Sequence, residues 1–181
     1  MHNKIIYLSF FLSILLCTNL MAKPNFTLSS KSFDNNGQVS AKYVSTDMPG
    51  GRNVSPDMQW KNPPKGTKSF ALTCIDMSPI AKLWVHWMVF NIPADINHIS
   101  DGASGNDLPM GCYEALNNFG FEGYGGPQPP ANTGYHRYVF TIFALNTAYI
   151  HPDKKKSGYK YFMNLINKHI IAKASIECFY R

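Results

Sequence analysis

Charged residues are scarce in this 181-residue chain, at 15% of the sequence, and they form only one short basic run, Lys154–Lys156. There is no Arg-rich stripe and no RNA-binding motif, so nucleic acid is not an expected partner. Internal repeats and low-complexity segments are also missing, and nothing in the composition marks a second domain or a linker. The sequence has no Gly-x-Ser-x-Gly elbow and no supported Cys–His pair, so we find no sign of an activated nucleophile.

Long hydrophobic runs are limited to the N-terminus. Ile5–Cys17 is a thirteen-residue, largely apolar stretch, preceded by Lys4 and followed by a more polar segment that ends in Ala22. A membrane-spanning helix needs about 20 apolar residues, so an uncleaved anchor is the weaker interpretation. We predict that residues 1–22 are a secretory signal peptide and that residues 23–181 form a single exported domain, periplasmic or secreted.

Cysteine is rare: beyond the predicted signal peptide there are only Cys74, Cys112 and Cys178. An odd number allows at most one internal disulfide among the three, and their spacing matches no zinc motif. Buried free thiols are the favoured interpretation. Export would permit one bridge, and the sequence leaves open which pair would form it.

Glycine and proline, 13 and 12 residues respectively, divide the chain into short segments. Ser69–Asp76, Leu83–Ile92 and Arg137–Leu145 are nearly continuous apolar runs, as expected for strands that are buried on both faces. Near the end, apolar residues at helical spacing predict a helix over Tyr159–Lys173, followed by a strand over Ala174–Tyr180. The pattern is that of a mainly β protein, an all-β sandwich with few helices.

Two of these strands carry candidate functional side chains. Asp76 is a lone carboxylate at a strand end, where capping a turn is the simpler role. His86 lies within an apolar strand, and the alternation of faces predicts that Trp84, His86 and Met88 share one side. An imidazole in that setting needs a hydrogen-bond partner, so His86 is either a satisfied core histidine or one that faces a ligand.

The segment from Gly123 to Tyr138, GYGGPQPPANTGYHRY, is a third candidate. Its glycines and prolines predict a locally stiff loop that tolerates unusual backbone angles, and backbone N–H groups in such a loop can point at an anion. The loop leads into a strand in which His136 and Tyr138 face the same side. An ordinary turn with a surface histidine is the alternative, but the length of the loop favours a binding function.

Taken together, these segments resemble a known family. Asn53–Trp60 (NVSPDMQW) is similar to the N-x-S-P-x-x-x-W opening of phosphatidylethanolamine-binding proteins. Trp84–Pro93 (WVHWMVFNIP) is similar to their H-W-x-x-x-N-I-P strand, and Gly123–Tyr138 to their G-Y-G-G-P-x-P-P…G-x-H-R-Y signature. The resemblance covers essentially all of residues 23–181 and fits best the bacterial and archaeal branch called Raf-kinase-inhibitor-like.

The resemblance implies two antiparallel β-sheets with a few peripheral helices, one of them near the C-terminus. It also implies a pocket for small anions such as phosphate, acetate or a phosphoethanolamine headgroup. No metal and no cofactor are implied, and a homodimer would be typical of this branch. Carried over residue by residue, the pocket would contain Asp76, Trp84, His86, Pro130, His136 and Tyr138, with the loop of Gly125, Gly126 and Pro127 forming one wall.

The chain departs from the family pattern in two places. The family's Asp-Pro-Asp-Ala-Pro motif reads Asp76–Ile80 (DMSPI) here, with Ser78 in place of the second carboxylate. Its Asn-Asp-Phe-Gly segment reads Asn117–Gly120 (NNFG). Both changes make the surroundings of the pocket less acidic, which favours anions slightly more.

The predicted function is therefore binding of a small anionic or phosphorylated ligand, such as phosphate or a phospholipid headgroup, with an inhibitor-like regulatory role as an extension. We expect affinity to rise as pH falls through the titration of the histidines. One alternative is a protein-interaction or inhibitor module that acts on a kinase or protease. Another is a metal-dependent enzyme, because Asp76, His86 and His136 have the composition of a two-histidine, one-carboxylate metal triad. Enzymatic activity is not the expectation we favour.

Overall fold

The computed structural model describes residues 24–181, so the predicted signal peptide lies outside the described residues. Strands dominate this part of the chain. They are β1 (Thr27–Ser29), β2 (Gly37–Gln38), β3 (Met58–Lys61), β4 (Ser69–Asp76), β5 (Trp84–Pro93), β6 (His98–Ile99), β7 (Tyr113–Glu114), β8 (His136–Leu145) and β9 (Ile170–Tyr180). The α-helix is α1 (Tyr159–Ile166), and 3₁₀ turns occupy Ala41–Tyr43, Pro79–Ala81 and Asn167–His169.

The strands form two sheets, one of three strands in the order β1-β3-β6 and one of six in the order β2-β9-β8-β4-β5-β7. A mainly β fold with two sheets and a helix near the C-terminus is thus confirmed. The sheets are not purely antiparallel, however, because β2 runs parallel to the end of β9. The chain enters β2 from β1, which belongs to the other sheet, so no hairpin forces an antiparallel pair at this edge.

The central strands of the large sheet are buried on both faces, which explains their continuous apolar runs. One face packs against the small sheet, where Trp60 contacts Phe70 with ring centroids 5.3 Å apart. The opposite face is covered by α1, whose Phe162 lies 4.6 Å from Phe90 between ring centroids. Strand β4 has the predicted bounds, and β5 and β8 match their predicted runs to within one residue at each end.

The C-terminal helix is shorter than predicted. It ends at Ile166, and the residues from Ile170 onward join β9 instead of continuing the helix to Lys173. Ile170, Ala172 and Lys173 pair with the end of β8. Hydrogen bonding to a long neighbouring strand, together with the strand preference of β-branched isoleucine, overrides the local helical periodicity.

Cys74, Cys112 and Cys178 are all free thiols, in agreement with the favoured interpretation. Cys74 and Cys178 are buried, and burial raises the pKa of both thiols. Within residues 24–181, no helix is long and apolar enough to cross a bilayer.

Candidate functional site

The ends of three adjacent strands meet at one cavity. Asp76, the last residue of β4, pairs with Trp84, which begins β5, and with Tyr138 near the start of β8. Neighbouring antiparallel strands run in opposite directions, so the end of β4 lies beside the beginning of both partners. The cavity has a volume of about 670 Å³. Its lining includes these predicted residues: Asp76, Trp84, His86, Pro130, His136 and Tyr138.

A β-bulge at His86 places its side chain at the cavity. The pairing of β4 with β5 skips one position here, so His86 is an extra residue on β5, and a bulge of this kind interrupts the alternation of faces. Trp87 packs in the core between the sheets, whereas Met88 packs with Val85 in the core on the helix side. The prediction that Met88 shares a face with Trp84 and His86 is therefore wrong.

His86 is neutral at neutral pH and offers an acceptor to the cavity. Its Nδ1 lies 2.6 Å from the carbonyl oxygen of Gly125; a carbonyl can only accept, so Nδ1 carries the proton. Burial lowers the pKa of His86 to about 4, although the backbone of Gly125 and Gly126 and the charge of Asp76 act in the opposite direction. The expectation that His86 titrates near neutrality is thus wrong. The Nε2 lone pair has no protein hydrogen bond within the described chain.

The glycine–proline loop lies behind His86 and does not line the cavity. Gly125 N–H donates to the carbonyl oxygen of His86 at 2.9 Å, and Gly126 N–H donates to Asn53 Oδ1 at 2.7 Å. Pro127 has no N–H to offer. The prediction that Gly125, Gly126 and Pro127 form an anion-binding wall is therefore wrong, because their N–H groups are already used.

Close packing explains why this loop is held away from the cavity. A Cβ at Gly126 would lie 2.5 Å from the backbone carbon of Val44, and one at Gly125 would lie 2.5 Å from the ring of Phe119. Only glycine permits such an approach of backbone to its neighbours. The wall on this side is instead formed by the next three residues, Gln128–Pro130.

Asp76 and His136 form a buried pair. The carboxylate oxygen Oδ2 lies 2.5 Å from His136 Nδ1, and the two side chains are 5% and 2% exposed. The second oxygen, Oδ1, accepts the N–H of Ser78 at 2.9 Å. On the other side of the ring, Nε2 lies 2.9 Å from the hydroxyl oxygen of Thr133. Both nitrogens of His136 are therefore engaged by the protein.

Tyr138 contributes a donor that the protein does not use. The residue is fully buried, and its hydroxyl has no hydrogen-bond partner within residues 24–181. Its ring packs edge-on against His86, with centroids 5.0 Å apart, and burial raises the pKa of Tyr138, so the hydroxyl keeps its proton. A buried hydroxyl without a partner costs about 1–3 kcal/mol, and a ligand oxygen in the cavity would supply that partner.

An apolar rim surrounds the cavity mouth, and sequence reasoning missed most of it. Trp84 is 39% exposed and Leu83 44% exposed, although both are large and apolar. Lys82 and Leu83 both have positive φ angles, 50° and 62°, which turn the chain sharply before β5. The departures from the family pattern at Asp76–Ile80 and Asn117–Gly120 were the sequence signals that pointed here. The lining residues that were not predicted are Ile80, Ala81, Lys82, Leu83, Asn118, Phe119, Gln128 and Pro129.

The side chains at the two departures from the family pattern accept hydrogen bonds from backbone N–H groups. Ser78, at the position of the family's second carboxylate, accepts the N–H of Arg137 through its hydroxyl at 2.9 Å. Asn118, at the position of the family's aspartate, accepts the N–H of Val85 through Oδ1 at 2.6 Å. Ser78 thereby links the turn after β4 to β8, and Asn118 links the loop after β7 to β5, without adding negative charge. Asp76 is accordingly the one carboxylate that lines the cavity among the described residues.

The sequence and the fold of this chain are similar to those of several known proteins. Escherichia coli YbcL is 35% identical over 160 residues, which cover 86% of this chain and 87% of that protein. The crystal structure of YbcL, described as a member of the mammalian PEBP family, matches with a TM-score of 0.80 at 34% identity, over 86% of this chain and 98% of that one. The CT736 homologue of Chlamydia trachomatis matches with a TM-score of 0.71 at 25% identity, over 86% and 97% of the two chains.

A further relative is LppC of Mycobacterium tuberculosis, named as a candidate lipoprotein, which is 33% identical over 122 residues covering 67% of this chain and 56% of that protein. The family model described as phosphatidylethanolamine-binding protein matches residues 29–181. That range contains every residue of the cavity lining described above. The chain therefore belongs to the phosphatidylethanolamine-binding protein family.

Proposed function

We propose that this protein binds a small anionic ligand, such as a phosphate or a phosphorylated group, in the cavity between Asp76 and Tyr138. The observation that carries the proposal is the Tyr138 hydroxyl, a buried donor without a partner in the described chain at a cavity that His86 and His136 also line. A ligand oxygen that accepts from Tyr138 would remove the cost of burying that hydroxyl unpaired.

The complementary groups on His86 and Tyr138 favour an oxyanion that retains one proton. Tyr138 donates, so it needs a ligand oxygen that accepts, and an ionised oxygen is the strongest acceptor. Neutral His86 accepts through Nε2, so it needs a ligand hydroxyl, unless ligand binding itself protonates the ring. The monoanion of a phosphate monoester presents both kinds of oxygen, and because the second pKa is about 6, this form is the minor one at pH 7 and the major one below about pH 6.

The apolar rim favours a ligand whose anionic group carries an organic part. Leu83, Trp84 and Phe119 stand at the mouth of the cavity, and the Trp84 and Phe119 rings pack edge-on with centroids 5.5 Å apart. Such walls contribute by burying apolar surface of the ligand. The family description agrees with a phospholipid headgroup as the natural ligand class.

Isothermal titration calorimetry with inorganic phosphate, and then with phosphoethanolamine, tests this proposal. Tyr138→Phe should weaken phosphate binding about tenfold to a hundredfold, because a hydrogen bond to a charged group is worth about 1.5–3 kcal/mol. Tyr149→Phe, at an exposed tyrosine remote from the cavity lining, is the matched control. Equal affinity of the wild type and Tyr138→Phe would contradict the proposed site.

We propose binding in preference to catalysis for this site. The described residues contain no group of three or more His, Cys, Asp and Glu side chains with the geometry to hold a metal ion. Nδ1 of His86 is hydrogen-bonded to Gly125, and both nitrogens of His136 are engaged, so a metal triad with Asp76 would require these bonds to break. Stoichiometric zinc or iron in the purified protein would favour the enzyme alternative.

We also propose that the protein is exported. The apolar stretch Ile5–Cys17 supports this, as does the candidate lipoprotein among the relatives. N-terminal sequencing of the protein recovered from the periplasm of a bacterial host should begin at Lys23. Recovery of an intact N-terminus from the cytoplasm would contradict the proposal.

A further inference from the structure

The hydroxyl group of Thr133 has one proton and two neighbours. Its Oγ1 lies 2.6 Å from the carbonyl oxygen of Pro130 and 2.9 Å from Nε2 of His136. A carbonyl oxygen can only accept a hydrogen bond, so the hydroxyl proton is committed to Pro130. Toward His136, the Thr133 oxygen can then only accept, which requires a proton on Nε2.

The opposite nitrogen of the same ring faces an acceptor as well. Nδ1 lies 2.5 Å from Oδ2 of Asp76, and Oδ1 of that carboxylate already accepts the N–H of Ser78. An ionised carboxylate accepts only, so Nδ1 also carries a proton.

We infer that His136 carries a proton on both ring nitrogens, that its pair with Asp76 therefore carries no net charge, and that Thr133 is the positioning residue that maintains this state. Other titratable groups near the ring are Tyr180, opposite His136 on β9, Tyr138 on the same strand, and His86 on β5. Burial raises the pKa of Tyr138 and lowers that of His86, so both side chains are uncharged at neutral pH. Nothing among these groups replaces the positive charge of His136.

The imidazoles of His136 and His86 then have different roles in the pocket. His136 neutralises Asp76, a carboxylate that would otherwise repel an anion from the cavity that it lines. His86 remains neutral and presents its lone pair. The positive charge of His136 also lowers the pKa of His86, though by less than the charge of Asp76 raises it, so burial is what keeps His86 neutral. This inference concerns the protonation of His136, and its consequence for ligand affinity rests on the proposed function.

The protonation of His136 can be observed directly by NMR of ligand-free protein labelled with nitrogen-15 at histidine, with resonances assigned through His136→Gln. We expect both ring nitrogens of His136 to be protonated at about pH 7 in the wild type. In Thr133→Val, which has the same shape but no acceptor, Nε2 should lose its proton. Thr133→Ser retains the hydroxyl and should restore the wild-type signature. A wild-type His136 that lacks a proton on Nε2 would overturn the inference, whatever the variants do.

The matched control is Thr141→Val on β8, the strand that also carries His136. The Thr141 hydroxyl bonds only to Ser175 at the surface. This variant should leave the His136 signature unchanged. Phosphate affinity measured on the same proteins should fall about tenfold in Thr133→Val and stay unchanged in Thr133→Ser and Thr141→Val. If phosphate fails to bind the wild type while both nitrogens are protonated, the proposed function fails and the assignment of His136 stands.

Discussion

Folding stability should contain a pH-dependent contribution from His86, and the structure allows the size of this contribution to be calculated. The imidazole is 2% exposed, and its pKa falls from 6.5 to about 4 because burial disfavours the charged form. The unfolded state therefore binds a proton below about pH 6.5 that the folded state does not bind until about pH 4. The stabilisation from a neutral His86 is present above pH 6.5 and is lost as pH falls through this window.

The size of the effect follows from the difference between the two pKa values. One pKa unit corresponds to about 1.4 kcal/mol, so the free energy of unfolding should fall by about 3 kcal/mol across the whole window. Between about pH 7 and pH 4.5 the expected loss is about 2–3 kcal/mol. That is a large share of the stability of a domain of this size, which is typically about 5–15 kcal/mol.

The variant that isolates this contribution is His86→Asn. An asparagine amide can still donate to the carbonyl oxygen of Gly125, as Nδ1 of His86 does at 2.6 Å, but it does not titrate. Urea unfolding at a series of pH values, in buffers free of phosphate and carboxylate, measures the free energy of unfolding of both proteins. The difference between wild type and His86→Asn should change by about 2–3 kcal/mol between pH 7 and 4.5.

The matched control applies the same substitution to an exposed histidine, His151→Asn. Its stability profile should run parallel to that of the wild type, because an exposed imidazole is solvated in both states. If the profile of His86→Asn also runs parallel to the wild type, then His86 is not held neutral by burial, and the argument for its role as an acceptor is wrong.

Two further predictions concern the loop and the ligand. Gly126→Ala should destabilise the protein by about 1–3 kcal/mol, because the new Cβ would lie within 2.6 Å of backbone atoms of Tyr43, Val44 and Ser45; an unchanged midpoint of urea unfolding would show that the loop has room. Phosphate binding should be accompanied by proton uptake, since an anion beside His86 raises its pKa from about 4 or selects the protonated ligand. Affinity should then rise up to about tenfold per pH unit between pH 7 and 5, and calorimetry in two buffers with different ionisation enthalpies should report the proton; a flat profile with no uptake would contradict the site chemistry.

The burial pattern of the large sheet could be predicted because it depends on residues that are close together in the sequence. A strand covered on both faces must be apolar at nearly every position, and Ser69–Asp76 and Arg137–Leu145 show this directly. The same local logic failed at the end of α1. There, Ile170 and Lys173 continue a helical spacing, but pairing with a long neighbouring strand decides their conformation.

The candidate site likewise has some features that the sequence predicts and others that it does not. His136 and Tyr138 are two residues apart on a regular strand, so their shared face was predictable from chain geometry alone. His86 lies on a bulge, and a bulge is a mismatch between two strands that neither strand reveals by itself. The bulge moves Met88 to the opposite core, which the alternation of side chains along β5 could not indicate.

The sequence by itself therefore determined the fold class, the family, and the residue types that could form an anion site. The tertiary structure decided how those residues are used: it engaged the N–H groups of the Gly125–Pro127 loop elsewhere, buried His86 in its neutral form, and enclosed His136 between Asp76 and Thr133. The reason is physical. Strand formation depends on patterns within a few residues, whereas protonation and hydrogen-bond donation depend on the groups that long-range strand pairing brings to each atom.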